Sequence, residues 1–434
     1  LLQEGKIKFI FADSMDLVDP NYDFINDRSS PEREPYWDDC YPHEMLGYAP
    51  YDGILVSRAL FGQKGMKSRY SDGQILRFRT KGAREYLRFT EDKYPNTDMW
   101  GDCGAFTYVK DDVPPYTVDD IIDFYGDGQF THGCSVDHII FQFTDEGLDV
   151  FVEDKEVLRR QEICLENAKE FYPKSKKRIG NYFTPVGVVH GWSAASMAEF
   201  AKKLVKIGYS YIALGGMVPL TAKQIMSAYT AVKESVPSDV KIHILGFAKE
   251  DTVNQFINKG LDSADTTSPL ISAFKDKRKN YYLYENDEMK YYAALRVPQM
   301  LKNSEVKKGV QSGHINLEDA IELEKQTLKE IRLFAEGQTK LENVITCYEQ
   351  YWNLIMKEKA SIDEVNAKKV INFNKNNAHK VLSEKPWLKC SCEICSKVGV
   401  EVILFRGNNR NRRRGFHNIH IYSKLINKLR KNGK

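Results

Sequence analysis

A chain of 434 residues, 42% hydrophobic and 28% charged, carries enough apolar material to bury a large core. Its formal net charge of +3 excludes binding to nucleic acid through bulk charge, so any such affinity has to come from a local patch. No apolar run approaches the ~20 residues needed to span a bilayer, and no secretory leader is visible. Eight cysteines in a chain this long do not make a secreted disulfide framework. The expected setting is cytoplasmic, with no membrane partner.

The first strand is predicted over Lys6–Ala12, followed by the Asp- and Pro-rich loop Asp13–His43. A loop of that length without periodicity is either functional or poorly ordered. The apolar runs Asp52–Leu60 and Thr97–Phe106 supply a second and a third strand, and the basic-aromatic stretch Gln74–Thr90 has no assignable period. A helix over Val118–Tyr125, capped by Thr117, leads to a fourth strand, Val136–Phe143, and a polar helix over about Glu153–Glu170. Thr184–His190, Tyr211–Leu214, Lys241–Leu245 and residues 261–265 are the fifth to eighth strands. Helices over Ser193–Ile207, Thr221–Ser235 and Asp251–Lys259 separate them.

Alternating strands and helices with short connections indicate a parallel sheet. Eight such strands in about 265 residues match the α/β fold of a (β/α)8 TIM barrel, with a doubly wound sheet as the competing architecture. The expected organisation is a catalytic barrel over 1–275, a mainly helical insertion over 276–385, and a zinc-binding subdomain with a C-terminal helix over 386–434. The insertion rests on long charged helical patterns, Leu317–Lys357 and Ile362–Leu382, and the last helix is predicted near Asn418–Leu429.

In such a barrel, residues leaving the C-terminal ends of different strands converge on one pocket. Three carboxylates do so here: Asp102, Asp137 and Asp265. Asp265 alone reads as a helix cap; with two more acids at strand ends, a division into nucleophile, proton carrier and recognition group follows. Phe106 can stack on a planar ligand, and the Gly215-Gly216 turn lets backbone approach one.

Cys390, Cys392 and Cys395 are followed 22 residues later by His417, with His420 close behind. Three thiolates and an imidazole complete a tetrahedral shell for structural zinc, with His417 as the fourth ligand and His420 in reserve. Between them lie Arg406, Arg410, Arg412, Arg413 and Arg414, spaced by small polar residues as a phosphate-tracking loop would be. Lys424, Lys428, Arg430, Lys431 and Lys434 extend that basic patch.

These residues together resemble the tRNA-guanine transglycosylase superfamily, from about Asp52 to Asp265 and again over the Cys–His unit. Gly101-Asp102-Cys103-Gly104-Ala105-Phe106 resembles the motif whose Asp is the general acid/base and whose aromatic stacks on the base. Gly133–Asp137 resembles the segment whose Asp reads the Watson–Crick edge of guanine. Ala213–Met217 and Ile244-Leu245-Gly246 resemble the segments that contact the base, placing Gly216, Met217 and Leu245 beside it. Gly260–Asp265 resembles the motif that ends in a covalent nucleophile, and Phe416–Tyr422 the one that carries the last zinc ligand. His190 stands where the family has a base-contacting Gln, and Cys103 where it has a Ser.

Val18–Phe24, Tyr51–Ser57, His190 and Ser263–Pro269 resemble the DNA-guanine transglycosylase branch in particular. That resemblance implies a pentosyltransferase of a bacterial or phage-infected cell that exchanges guanine in DNA for a 7-deazaguanine such as preQ0. The same exchange on tRNA, and a non-catalytic nucleic-acid-binding subunit, are the rival expectations. The resemblance leaves room for accessory modification proteins and for a homodimer.

Overall fold

The computed structural model describes residues 7–13, 15–62, 68–151, 153–247, 249–250 and 252–432. Lys6, Asp251 and Lys434, each part of an expectation above, lie outside them. Contacts divide the chain into two compact units. One is the barrel, made of the chain up to Met15, Tyr51–Ser268 and the end of the chain from Ile426; the other joins Asp16–Pro50 to Pro269–Leu425.

The barrel strands are β1 (Lys8–Ala12), β2 (Gly53–Ser57), β3 (Asp98–Asp102), β4 (His132–Cys134), β5 (Thr184–Val189), β6 (Tyr211–Leu214), β7 (Lys241–Ile244) and β8 (Ser263–Asp265). Each pairs in parallel with the next, and β8 closes on β1 through Lys8↔Ser263 and Ile10↔Asp265. The expected (β/α)8 architecture is therefore present, and the doubly wound alternative is excluded because the sheet has no open edge. Ile10, Leu55, Trp100, Cys134, Val186, Val188, Tyr211 and Ala213 fill the interior. Trp100 is fully buried; removing an indole of ~150–250 Å² from water contributes roughly 4–6 kcal/mol as an upper bound.

The helices between strands start where their caps dictate. Thr117, Ser193 and Thr221 each accept a hydrogen bond from the third residue of the helix that follows, in a reciprocal capping box. Gln74–Thr90, which has no readable period, holds the helices Asp72–Lys81 and Ala83–Tyr86.

One strand differs from expectation. The fourth is His132–Cys134, and Val136–Phe143 is irregular backbone. Its first half is buried all the same: Val136, Ile139 and Ile140 are covered, and Ile140 packs with Val157 and Trp192, while Phe141 is exposed. Its polar groups are met by side chains in place of a neighbouring strand. Tyr108 Oη donates to the Asp137 carbonyl at 2.9 Å, the His138 amide donates to Cys164 Sγ at 3.1 Å, and Arg160 Nη1 donates to the Ile139 carbonyl at 2.8 Å. An apolar-rich run signals burial, not pairing, and residues 136–140 are buried without being paired.

The second unit contains a hairpin that the sequence analysis does not predict, β9 (Tyr281–Glu285) and β10 (Glu288–Tyr292). Its two-residue turn, Asn286-Asp287, has φ of 55° and 62°, the doubly left-handed geometry that suits hairpins. The expected long helical patterns follow as Leu317–Ala335, Leu341–Ile355 and Glu364–Glu384. The last helix is Gly407–Asn432, beginning eleven residues before its predicted start at Asn418. Among the described residues no helix is long and apolar enough to cross a membrane.

Candidate active site and metal centre

Asp102 and Asp265 are the last residues of β3 and β8, and Asp137 follows β4 by three residues, so all three acids leave the C-terminal ends of barrel strands. Asp265 is buried, and its Oδ1 accepts two hydrogen bonds, from the Gly246 amide at 2.8 Å and from His243 Nε2 at 3.0 Å. Among the described residues no donor reaches its Oδ2.

Asp102 is held differently. Its Oδ1 accepts from the Gly104 amide at 2.6 Å. Burial pushes its carboxyl up to about 7, and the charges of Asp137 and Asp265 push the same way, against the Gly104 amide and the Ser57 hydroxyl. Asp102 therefore lies within electrostatic reach of both other acids. An acid poised near neutrality can hold a proton and also release it, as a group serving two half-reactions must.

Asp137 is fixed through both oxygens. Cys103 Sγ donates to Oδ1 at 2.9 Å, and His190 Nε2 donates to Oδ2 at 2.6 Å. Burial and the Asp137 charge hold the Cys103 thiol well above its ordinary value, so it stays protonated and donates. A carboxylate only accepts, which fixes the proton of His190 on Nε2 and leaves Nδ1 as a buried atom unbonded among the described residues. The ring lies against the Gly215-Gly216 turn. A Cβ on Gly215 would fall 2.6 Å from His190 Cε1, and Gly216 has φ +75° with its missing Cβ 2.9 Å from the Ile140 carbonyl oxygen. Both glycines are therefore demanded by close approach.

Of the remaining expected base contacts, Met217 is buried and Leu245 half-buried. Phe106 is 52% exposed, in the turn Ala105–Thr107, with its ring 6.0 Å from that of Phe141. Phe141 was not singled out in the sequence because it sat inside an apparent strand. His243 was passed over for the same reason, as one polar residue in the apolar run of β7.

In the second unit the ligand atoms of Cys390, Cys392, Cys395 and His417 all lie within 4.8 Å of one another and are buried, an arrangement that could hold a metal ion. His417 Nε2 donates to the Tyr282 carbonyl at 2.7 Å, which leaves the Nδ1 lone pair facing Cys395 Sγ at 3.3 Å and Cys392 Sγ at 3.5 Å. A carbonyl that fixes the tautomer from behind is how a ligating imidazole is usually oriented. The Tyr281 ring stacks on it at 4.2 Å. His420 instead meets the Tyr48 hydroxyl through Nδ1 at 2.7 Å, so it stands outside the set.

The arginine expectation needs correction. Arg410, Arg413 and Arg414 share the buried face of the helix Gly407–Asn432 with His417 and Asn418, at spacings of three and four. Arg410 donates to Glu401 at 2.6 Å and to the Phe24 carbonyl at 2.6 Å, and pairs with Asp27. Arg406, buried just before the helix, bonds Glu324 and Asp27, each at 2.5 Å. Arg413 donates to the carbonyls of Asp19 and Pro20, and Arg414 to those of Val402, Leu404 and Ala273. Burial brings Arg414 down to about 9, still charged at neutral pH. These four guanidinium groups are buried and bonded to interior acceptors, out of reach of phosphates. Arg412, with a side chain 37% exposed, is the one of the five still facing solvent. In the C-terminal extension of the patch, Arg430 pairs with Asp52 and donates to the Ile7 carbonyl.

No family model matches the chain. Among curated proteins it is similar to a DNA-guanine transglycosylase of Salmonella montevideo, with 39% identity over 427 residues, covering 98% of this chain and 97% of that protein.

Proposed function

The chain belongs to the DNA-guanine transglycosylases, and from that membership we propose that it exchanges guanine in DNA for a 7-deazaguanine base through a glycosyl-aspartate intermediate. The observation that carries the mechanism is Asp265: one oxygen is pinned by two donors, and the other has no partner among the described residues. A free carboxylate oxygen at the end of a barrel strand suits attack on an anomeric carbon.

In the first half-reaction Asp265 Oδ2 bonds to C1′ of the target deoxyguanosine and the C1′–N9 bond breaks. The bonding pair goes to N9 of guanine, and the proton held by Asp102 neutralises it. In the second half, N9–H of the incoming base gives its proton to Asp102 while N9 bonds to C1′. The C1′–Oδ2 bond breaks, and its pair returns to Asp265. Two inversions retain the configuration, by the logic of retaining glycosyl transfer. Asp137 accepts from the N1–H and exocyclic amine of the base; each of its oxygens keeps a lone pair beyond the bonds from Cys103 and His190. His190 Nδ1, Gly216, Met217 and Leu245 border the base, and Phe106 covers it. The nucleotide has to be extruded from the stack, because C1′ cannot be approached in line within a duplex.

Cys390, Cys392, Cys395 and His417 would hold zinc. Three thiolates and one imidazole close a tetrahedral shell with no position for water or substrate, and that donor set serves structure. Arg412 and the exposed Lys424 and Lys431 remain as candidates for phosphate contact.

Two measurements test this reading. Labelled guanine is expected to enter double-stranded DNA carrying the target and not tRNA, and a 7-deazaguanine is expected to chase it out irreversibly. Incorporation into tRNA alone would move the activity to the rival polymer. The second concerns pH. Adduct formation needs Asp102 protonated, and its carboxyl lies near about 7, so the single-turnover rate of base loss should fall as pH rises through that value. Asp102→Asn should lower the rate by about 10²–10⁴-fold and flatten this dependence. A pH profile unchanged by the substitution would remove Asp102 from the proton transfer.

A further inference from the structure

His243 belongs to β7 and is fully buried, yet both of its ring nitrogens are engaged. Nδ1 lies 2.6 Å from Ser263 Oγ, and Nε2 lies 3.0 Å from Asp265 Oδ1. Ser263 Oγ in turn lies 2.8 Å from the Tyr211 hydroxyl. Three strands thus build a chain of hydrogen bonds that ends on the Asp265 carboxylate: β6 contributes Tyr211, β7 contributes His243, and β8 contributes both Ser263 and Asp265.

Counting protons gives this chain a direction. The carboxylate can only accept, so Nε2 carries a hydrogen. With a neutral ring, Nδ1 accepts from the Ser263 hydroxyl, whose oxygen accepts from Tyr211, and every proton has an acceptor. An imidazolium would donate from Nδ1 to Ser263, turn the Ser263 hydroxyl toward Tyr211 and leave the Tyr211 proton with no acceptor among the described residues. Donation therefore runs from Tyr211 to Ser263 to His243 to Asp265. The imidazole plane is fixed as well, stacked on Trp100 at 4.6 Å and 27°. Trp100 stacks on its other neighbour, His132, at 4.5 Å and 2°.

We propose that His243 is a positioning residue that presets Asp265 for attack, backed by the Ser263–Tyr211 relay and the Trp100 ring. The inference rests on Asp265 being the nucleophile. With the His243 Nε2–H and the Gly246 amide both on Oδ1, the carboxylate cannot rotate without breaking two hydrogen bonds, and Oδ2 is the oxygen presented. When Oδ2 bonds to C1′, Oδ1 becomes the ester carbonyl and keeps both donors. When the incoming base displaces the carboxylate, the returning charge spreads onto Oδ1, where those donors already point. No proton leaves His243 in either half. Its contribution is orientation and stabilisation of charge, the kind that costs no reorganisation during the reaction.

The test compares His243→Gln with His243→Leu in the full chain, measuring kcat and KM for labelled-guanine exchange into DNA. Gln and Leu are close in volume, but only Gln can return an N–H to Asp265. The expected result is a fall in kcat of about 10²-fold for His243→Leu with KM little changed, and recovery by His243→Gln to within about tenfold of the parent. Tyr211→Phe, which removes the relay's first proton without opening a cavity, should lower kcat severalfold, and it decides the matter if the Leu variant does not fold. Equal losses for Gln and Leu, or parent rates for Leu and Phe, overturn the positioning role. Asp265→Ala run alongside keeps the two claims apart: retained exchange there removes the nucleophile, whereas an inactive Ala variant beside an indifferent His243 removes only this inference.

Discussion

Asp265→Ala is expected to lower base exchange by about 10⁴-fold or more, since a nucleophile that forms the covalent bond has no substitute in its unit. The fold should survive the change. Removing the carboxylate leaves the Gly246 amide and the His243 Nε2–H unpaired in a buried site, at a cost of about 1–3 kcal/mol each, against the 5–15 kcal/mol typical of a domain. A melting temperature a few degrees lower, with activity gone, is the combination expected. Activity within tenfold of the parent in a folded Asp265→Ala protein would contradict the assignment.

Metal removal is expected to have the second largest effect, and in the opposite currency. Binding to a Cys3His set contributes folding free energy directly, on the order of 10–16 kcal/mol in small zinc peptides. Cys390, Cys392, Cys395 and His417 are buried together, and their unit also holds the ion pairs of Arg406 and Arg410 with Asp27, Glu324 and Glu401. Chelation, or Cys392→Ser, should therefore lower the melting temperature steeply, with one zinc released per chain. Exchange activity should decline in step with the folded fraction. A metal-free protein that stayed folded but lost activity would place the ion in the chemistry.

The barrel was legible because its signals are redundant. Ser and Thr caps, apolar strands and short connections agreed for β5 to β8, and each element fell within a few residues of its predicted place. The fourth strand misled because Val136–Phe143 has the composition of a buried strand while its backbone is bonded to Tyr108, Arg160 and Cys164, all remote in sequence. Asp137 was found regardless, since its place depends on following β4 and not on lying within a strand. The arginines were misread for a local reason. Asn and Gly around Arg406–Arg414 suggested a loop, and a loop exposes its charges. The helix that forms there is buried on nearly every side from Arg410 to Ser423, with Arg412 the exception, and the acids that make this tolerable, Asp27, Glu324 and Glu401, come from distant parts of the sequence. The Asn286-Asp287 turn, flanked by tyrosine-rich runs, is a hairpin signal present in the sequence. His243 could have been suspected as a lone imidazole in an apolar strand, but only its distance to Asp265 gives it a role.

The most direct test of the account is to trap the protein on DNA in the absence of an incoming base, digest it, and locate the modified peptide by mass spectrometry. A deoxyribosyl ester on Asp265, within the peptide that contains Gly260–Lys275, is the predicted result. An adduct on Asp102 or Asp137 would contradict it, as would base loss with no adduct at any carboxylate.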